Sequence, residues 1–425
     1  MNVGLITILG LLILSLCGIP IFLSLGIATL AAMSLGGMPL VVVPSKMFAG
    51  MNSTALLAIP FFMLAGNIMS RSITMKLVDI SNALIGWMKG SLAVVTVAAS
   101  TLFGAISGSA VATCSAVGGI TIPAMKKEGY SESFAAAIAS MSSVLGPLIP
   151  PSITLIVYAS ATETSISALF QASIVPGILL CVLLIVYSLH YGKKNDLPAH
   201  PKMSFGEIAK TIRSGIWALL MPVIILGGIF GGIFTATEAA AVVVVYALAV
   251  SLFVYKDMKF KEIIPSMAEA GISTAVILVL VGLSKSSSYV VTTSGLPQAV
   301  LNFFTELTSN KYIILILINI LFLIIGMLME ANAAVVMMTP LLRPLMLSMG
   351  LTDIQFCMMM CVNLYIGLMT PPVGVCILLG NQIAGAKLER TLRDSIPMLG
   401  IGLVVLLLVT YVPAVTTWLP GLFTK

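Results

Sequence analysis

The sequence predicts an all-α polytopic membrane protein built as an inverted-topology repeat, with two re-entrant hairpins and two proline-interrupted helices. Three observations carry this. Hydrophobic residues make up 59% of the chain and charged residues 8%, against roughly 25% charged in a soluble domain. A break motif is written twice, as Gly146-Pro147-Leu148-Ile149-Pro150-Pro151 and as Gly367-Leu368-Met369-Thr370-Pro371-Pro372, 221 positions apart (367 minus 146). The basic residues fall in loops that place matching parts of the two halves on opposite sides of a bilayer.

Mean hydropathy is +1.14, and apolar runs of ~20 residues, enough to cross ~30 Å of hydrocarbon as helices, recur throughout. The N-terminus is apolar from Val3 and lacks a basic leader with a cleavage site, so it reads as a retained helix. The stretch 191–213 carries Lys193, Lys194, Lys202, Lys210 and Arg213, is broken by Pro198 and Pro201, and divides the chain. Positive charge places it in the cytoplasm. The first repeat is then 1–190, and the second is 214–425.

In the first repeat, Ala49–Met69 reads as one span. Segment 91–127 is a hairpin around Ser107-Gly108-Ser109 that opens inward to Lys126 and Lys127. A broken helix over 134–160 exits to Thr162-Glu163-Thr164, where no Lys or Arg stands. In the second repeat, spans at Ile216–Phe234, Ala239–Tyr255 and Met267–Val291 lead to an outward hairpin, 311–350, around Glu330-Ala331-Asn332. The broken helix 354–384 then arrives at Lys387, Arg390 and Arg393, and Met398–Leu419 is the last span. Pro123 with Pro344, Gly129 with Gly350 and Pro176 with Pro397 keep the 221-residue spacing (367 minus 146).

Interrupted segments repeated in this way place a binding site at the repeat interface of a secondary transporter. Proline breaks free carbonyls, which with Ser, Thr and Asn oxygens suit Na⁺, while helix N-termini favour an anion. Glu330 is the only acid between Glu306 and Asp353, and an ionisable group at depth is costly and functional. It serves Na⁺, a proton or substrate, or else sits at the lipid interface. Arg343, between Pro340 and Pro344, either meets a substrate carboxylate or snorkels. Thr237 is a candidate cap for the helix that starts beside Glu238. The six cysteines lie in apolar segments and read as packing rather than as a metal site. The net charge of +6 sets topology and implies no nucleic-acid partner. An intramembrane enzyme would need a base beside Ser107 or Ser109, and neither histidine lies in the membrane core.

Ile59-Pro60-Phe61-Phe62-Met63-Leu64-Ala65-Gly66, Ser107 through Ala112, Gly146 through Ser152, Thr235 through Ala240 and Thr370-Pro371-Pro372-Val373-Gly374 together resemble the large membrane subunit of TRAP (tripartite ATP-independent periplasmic) transporters of the DctM/SiaM type. The resemblance spans essentially the whole chain. It implies an elevator-type, Na⁺-coupled importer of an organic acid such as a C4-dicarboxylate, sialic acid or sugar acid, in the bacterial inner membrane. The implied partners are a small four-helix membrane subunit and a periplasmic substrate-binding protein. It implies two or more Na⁺ sites, one from Ser107, Ser109, Gly146, Ile149 and Pro151 and another from Gly326, Gly367, Thr370 and Pro372. Substrate would touch Ser109, Thr154, Glu330 and Asn332. The family usually has Asp at the position of Glu330. The alternative is a stand-alone Na⁺/dicarboxylate symporter of a related inverted-hairpin fold.

Overall fold

A backbone in lipid must satisfy its own polar groups, and a helix does so within one segment. In the computed structural model, which describes residues 2–199, 201–308, 310–371 and 374–423, every regular element is helical. Among these residues, eight helical segments are long and apolar enough to cross a membrane, nine if one bent pair counts as a span. The chain is a multi-pass membrane protein.

The chain begins with α1 (Val3–Leu16) and α2 (Ile21–Leu35), which pack together, and α3 (Val42–Met51), which meets the segment leading into α4 (Ala58–Ile85) at a 60° bend. The first hairpin is α5 (Ser91–Ser107) and α6 (Ala110–Lys127). The first broken helix is α7 (Glu132–Ser143), the short α8 (Leu145–Leu148) and α9 (Ile153–Thr162), and α10 (Ile166–Lys194) follows. The second half opens with α11 (Phe205–Phe230), α12 (Ala236–Ala249), α13 (Phe260–Thr293) and α14 (Leu296–Leu307). Then come the second hairpin, α15 (Lys311–Leu328) and α16 (Ala331–Ser348), and the second broken helix, α17 (Asp353–Gly367) and α18 (Val375–Ala384). The chain closes with α19 (Leu388–Tyr411) and α20 (Ala414–Phe423). Shifting α6 by the repeat spacing reproduces the bounds of α16, so the duplicated motifs belong to duplicated elements.

Several boundaries differ from the sequence reading. Helix occupies both ends of the expected 191–213 loop, because Ser204 and Glu207 form a capping box that starts α11; only 195–204 is left as connection. There Lys89 donates to Asp196 at 2.5 Å and holds that exposed carboxyl below its usual range. The expected span Ala49–Met69 is bent near Asn52. The expected span Met398–Leu419 is divided at Pro413, where no N–H exists to continue α19. Thr235, not Thr237, caps α12 and shares a capping box with Glu238. The Thr237 hydroxyl instead donates to the Thr54 carbonyl at 2.9 Å.

Burial separates centre from periphery. The span Glu132–Thr162 is 83% buried, whereas those of α11, α13 and α19 are 33% buried and turn apolar residues such as Val223, Ile272 and Val404 outward. A helix buried all round belongs inside the bundle. The second arm of each hairpin packs on the far half of the other repeat's broken helix: α6 against α18, and α16 against α9. This exchange interlocks the repeats. At the base of the first hairpin, Lys126 pairs with Glu132 at 2.7 Å and donates to the Ala384 carbonyl at 2.7 Å.

At the base of the second hairpin, Arg343 donates to both carboxylate oxygens of Asp353, at 2.6 and 2.9 Å. This answers the two expectations for Arg343: its fork is occupied by a fixed carboxylate, ten residues on, at the start of α17. The side chains are 35% and 26% exposed, so screening is partial. A double-mutant cycle of Arg343→Gln and Asp353→Asn is expected to return ~1 kcal/mol of coupling in thermal unfolding, the upper end for an exposed pair, because the contact is bidentate. Strictly additive losses would show the pair to be incidental.

Candidate functional site

Each hairpin apex is built by a local stop and restart. Gly108 takes a left-handed conformation (φ 61°) that ends α5, and Ser109 becomes the N-cap of α6. A side chain at Gly108 would not fit, since its Cβ would lie 2.5 Å from the Pro151 carbonyl oxygen. The Ser109 hydroxyl accepts from the Ala112 N–H at 3.4 Å, and its carbonyl accepts from the Thr113 hydroxyl at 2.7 Å. The Ser107 hydroxyl lies 3.2 Å from that of Thr113.

At the second apex the corresponding N-cap is Glu330. Its Oε2 accepts from the backbone N–H groups of Asn332 and Ala333 at 2.9 and 3.3 Å, and its Oε1 accepts from the Asn332 side-chain amide at 2.7 Å. This narrows the expectation that helix N-termini attract an anion here. The N-terminus of α16 already holds its own carboxylate, whereas α6 and α9 carry only the neutral caps Ser109 and Ser152. Asn332 Oδ1 is buried and has no hydrogen-bond partner among the described residues. Such an orphaned acceptor calls for a donor or a cation.

The proline breaks lie behind the apices. Ile149 is extended after α8, the Pro150–Pro151 bond is cis, and Ser152 restarts the helix. The Ser152 hydroxyl is 3.4 Å from the Tyr365 hydroxyl, which ties the first break to α17. In the second break the Thr370 hydroxyl donates back to the Ile366 carbonyl at 2.9 Å, which leaves the hydroxyl's own lone pairs available.

The two apices meet at one cavity of about 400 Å³. The first contributes Ser107, Gly108 and Ser109, and the second contributes Glu330, Ala331 and Asn332. Thr154 from α9 and Tyr365 from α17 complete the far wall. All four residues expected at substrate therefore line one space. The residues expected around Na⁺ divide. Ser107 and Ser109 reach the cavity, but Gly146, Ile149, Pro151, Gly326, Gly367 and Thr370 do not line it. Gly146 is pressed behind the first apex, where an added Cβ would lie 2.6 Å from Thr113 Oγ1 and 2.7 Å from the Ser109 carbonyl oxygen. Gly326 and Gly367 are back to back behind the second, with a Cβ on Gly326 meeting the Leu364 Cα at 2.9 Å. The Ile149 side chain turns away to Gly177 of α10. Pro372 lies outside the described residues.

Sequence reasoning missed Asn67 and Ser70 of α4 and Ser273 of α13, which close the cavity from outside the hairpins. Their signal was present: each is a polar residue inside an apolar helix, but nothing in the chain says which face they share. The donor set at the first apex is made of neutral oxygens (Ser107 Oγ, Thr113 Oγ1 and the Ser109 and Pro151 carbonyls). Among the described residues no group of three or more His, Cys, Asp or Glu could hold a metal. Neutral oxygens at close quarters fit a hard monovalent cation and not a transition metal.

Residues 8–415 match the family described as the tripartite ATP-independent periplasmic transporter, DctM component. The C4-dicarboxylate TRAP transporter large permease protein DctM of Pseudomonas aeruginosa is 41% identical over 377 residues, covering 88% of this chain and 88% of that protein. The sialic acid TRAP transporter large permease protein SiaM of Vibrio cholerae is 35% identical over 419 residues, covering 98% of each. The crystal structure of the Alcanivorax borkumensis YdaH transporter shares the fold, with a TM-score of 0.61 at 14% identity over 89% of this chain and 87% of that one. With its duplicated hairpins closed on one cavity and this match over nearly its whole length, the chain belongs to the DctM-component family of tripartite ATP-independent periplasmic transporters.

Proposed function

We propose that this chain is the translocating subunit of a Na⁺-coupled importer for an organic acid, seated in the cell inner membrane. The observation that carries the reading is the meeting of both hairpin apices at one cavity. Because each apex belongs to a different repeat, the cavity is bounded on both sides by elements related through inverted topology. A rigid movement of hairpins and broken helices against α4 and α13 would then expose it to one side at a time, which is an elevator. Basic residues at the base of the first hairpin mark that base as cytoplasmic. The names of the relatives support an acid as cargo. The neutral N-termini of α6 and α9, near Ser109 and Thr154, would receive its carboxylate.

Na⁺, when bound, would offset cargo charge and tie the apices to the breaks. Ser107, Ser109, Gly146 and Pro151 would supply oxygens at the first apex, and Gly326, Gly367 and Thr370 at the second. Asn332 Oδ1 is free to accept from cargo or meet a cation. The family reading supplies the partners: a small four-helix membrane subunit, and a periplasmic binding protein that delivers the acid.

Uptake into proteoliposomes tests this. The chain is reconstituted with its small partner and offered succinate or N-acetylneuraminate, with and without binding protein and with and without an inward Na⁺ gradient. Uptake is expected to require both. Ser109→Ala is expected to lower it at least tenfold while costing only ~1 kcal/mol of stability from the lost cap. Uptake that needs Na⁺ but no binding protein would replace the tripartite reading with the stand-alone symporter.

A further inference from the structure

A second cavity has a volume of about 420 Å³ and shares three lining helices with the first. The three helices α9, α13 and α16 run past both. On α13 the first cavity ends at Ile277 and the second begins at Val281. On α16 the corresponding residues are Asn332 and Val336. Four residues of helix is about 6 Å, so one turn separates the two spaces. Within the second cavity α13 and α16 are tied by a hydrogen bond from the Ser284 hydroxyl to the Val336 carbonyl at 3.0 Å.

The second cavity differs from the first in charge. It is lined by Lys285 and Arg343, with hydroxyls from Ser288 and Thr339. Arg343 is held by Asp353, but no carboxylate among the described residues pairs with Lys285. Lys285 lies eight residues before the end of α13 at Thr293 (293 minus 285), about 12 Å of helix. Lys285 is exposed, and a cation on a membrane helix that faces a cavity marks a pathway or a site. Its packing is specific as well: α3 approaches through Gly50, where an added Cβ would lie 2.8 Å from the Lys285 Cβ. The sequence reading passes over this lysine, although it is the one charged residue from Ile272 to Val291 and sits in the polar stretch Ser284-Lys285-Ser286-Ser287-Ser288.

We propose that this cavity is a second anion site, an antechamber in which Lys285, eight residues along α13 from Ile277 (285 minus 277), holds a carboxylate of the cargo. It rests on the reading of the cargo as an organic acid. Lys285 draws the anion in, and the turn of α13 between Val281 and Ile277 separates it from the apices.

The test is the labelling of a Ser288→Cys reporter in the full chain, corrected for labelling of the parent, in phosphatidylcholine nanodiscs. Two methanethiosulfonate reagents are compared, one with a sulfonate and one with a trimethylammonium head. The sulfonate is expected to react five- to tenfold faster with Lys285 present than in Lys285→Gln, about the effect of one unit charge at ~4 Å in wet surroundings. Lys285→Arg restores the rate, and acetate, succinate or N-acetylneuraminate slows it relative to chloride. Equal rates in Lys285→Gln, or no slowing by any of the acids, would overturn the proposal. So would protection that arises only in phosphatidylglycerol nanodiscs, which would assign the cavity to a lipid headgroup. Labelling requires no transport, so protection by acids in a preparation that takes up none would sink the importer and leave the anion site standing.

Discussion

Glu330→Gln is expected to lower uptake at least tenfold while leaving the chain folded in the membrane. The carboxylate uses one oxygen for two backbone N–H groups at the start of α16 and the other for the Asn332 amide. Glutamine keeps one acceptor and turns the other into a donor, which then faces the Asn332 donor. The cap survives, but Asn332 is released from its position in the cavity wall and the negative charge is lost. Hydrogen bonds to charged groups are worth ~1.5–3 kcal/mol, tenfold or more in a rate that depends on them. Glu330→Asp is expected to retain most uptake, because Asp caps helices well and restores the charge. Glu330→Ala loses the cap too, so its thermal midpoint drops as well as its uptake. Initial uptake rates and detergent unfolding curves for the three variants separate these roles. Normal uptake by Glu330→Gln would remove the carboxylate from the mechanism.

The second large effect is expected from a single methyl group. Gly146→Ala places a Cβ 2.6 Å from Thr113 Oγ1 and 2.7 Å from the Ser109 carbonyl oxygen. Across the contact, a Cβ on Gly104 would lie 2.6 Å from the Gly146 Cα. Backbone on both sides cannot give way, so the first apex must move off the break. Overpacking of this kind costs ~1–3 kcal/mol. It also separates the oxygens proposed for the cation. Wild-type protein is expected to unfold at a higher temperature in NaCl than in KCl of equal strength, since a ligand of the folded state stabilises it by mass action. Gly146→Ala should unfold earlier and lose the difference between the salts. Gly119→Ala is the control: no atom lies within 4 Å of its Cβ, and Ala in place of Gly inside a helix is stabilising by ~0.5–1 kcal/mol. A Gly146→Ala protein with a full Na⁺ increment would place the cation elsewhere.

Much of the architecture was legible in the chain because lipid leaves few options. Proline inside apolar sequence marks a break or a kink, and glycine a turn or a close approach of backbones. Ser107-Gly108-Ser109 and Glu330-Ala331-Asn332 announced the apices for this reason, and the repeat spacing carried over to the bounds of α6 and α16. Less legible was anything decided by a partner distant in sequence. Arg343 read as a free cation because proximity to Asp353 depends on how α16 turns into α17. Thr235 and Thr237 are two positions apart, and the cap is the one whose third successor is Glu238. Helix α14, an amphipathic segment after α13, was overlooked because it is too short to span.

By itself the sequence determined the solvent, the helical class, the duplication and the polar residues available at depth, since all four follow from composition and spacing along one chain. Only the tertiary structure decided which of those polar residues share a space. The interlocking of α6 with α18 and α16 with α9 brings the two apices to one cavity, and leaves Lys285 in another one turn away. The physical reason is that a helical period specifies which residues share a face, whereas the partner of that face is chosen by packing between segments hundreds of residues apart.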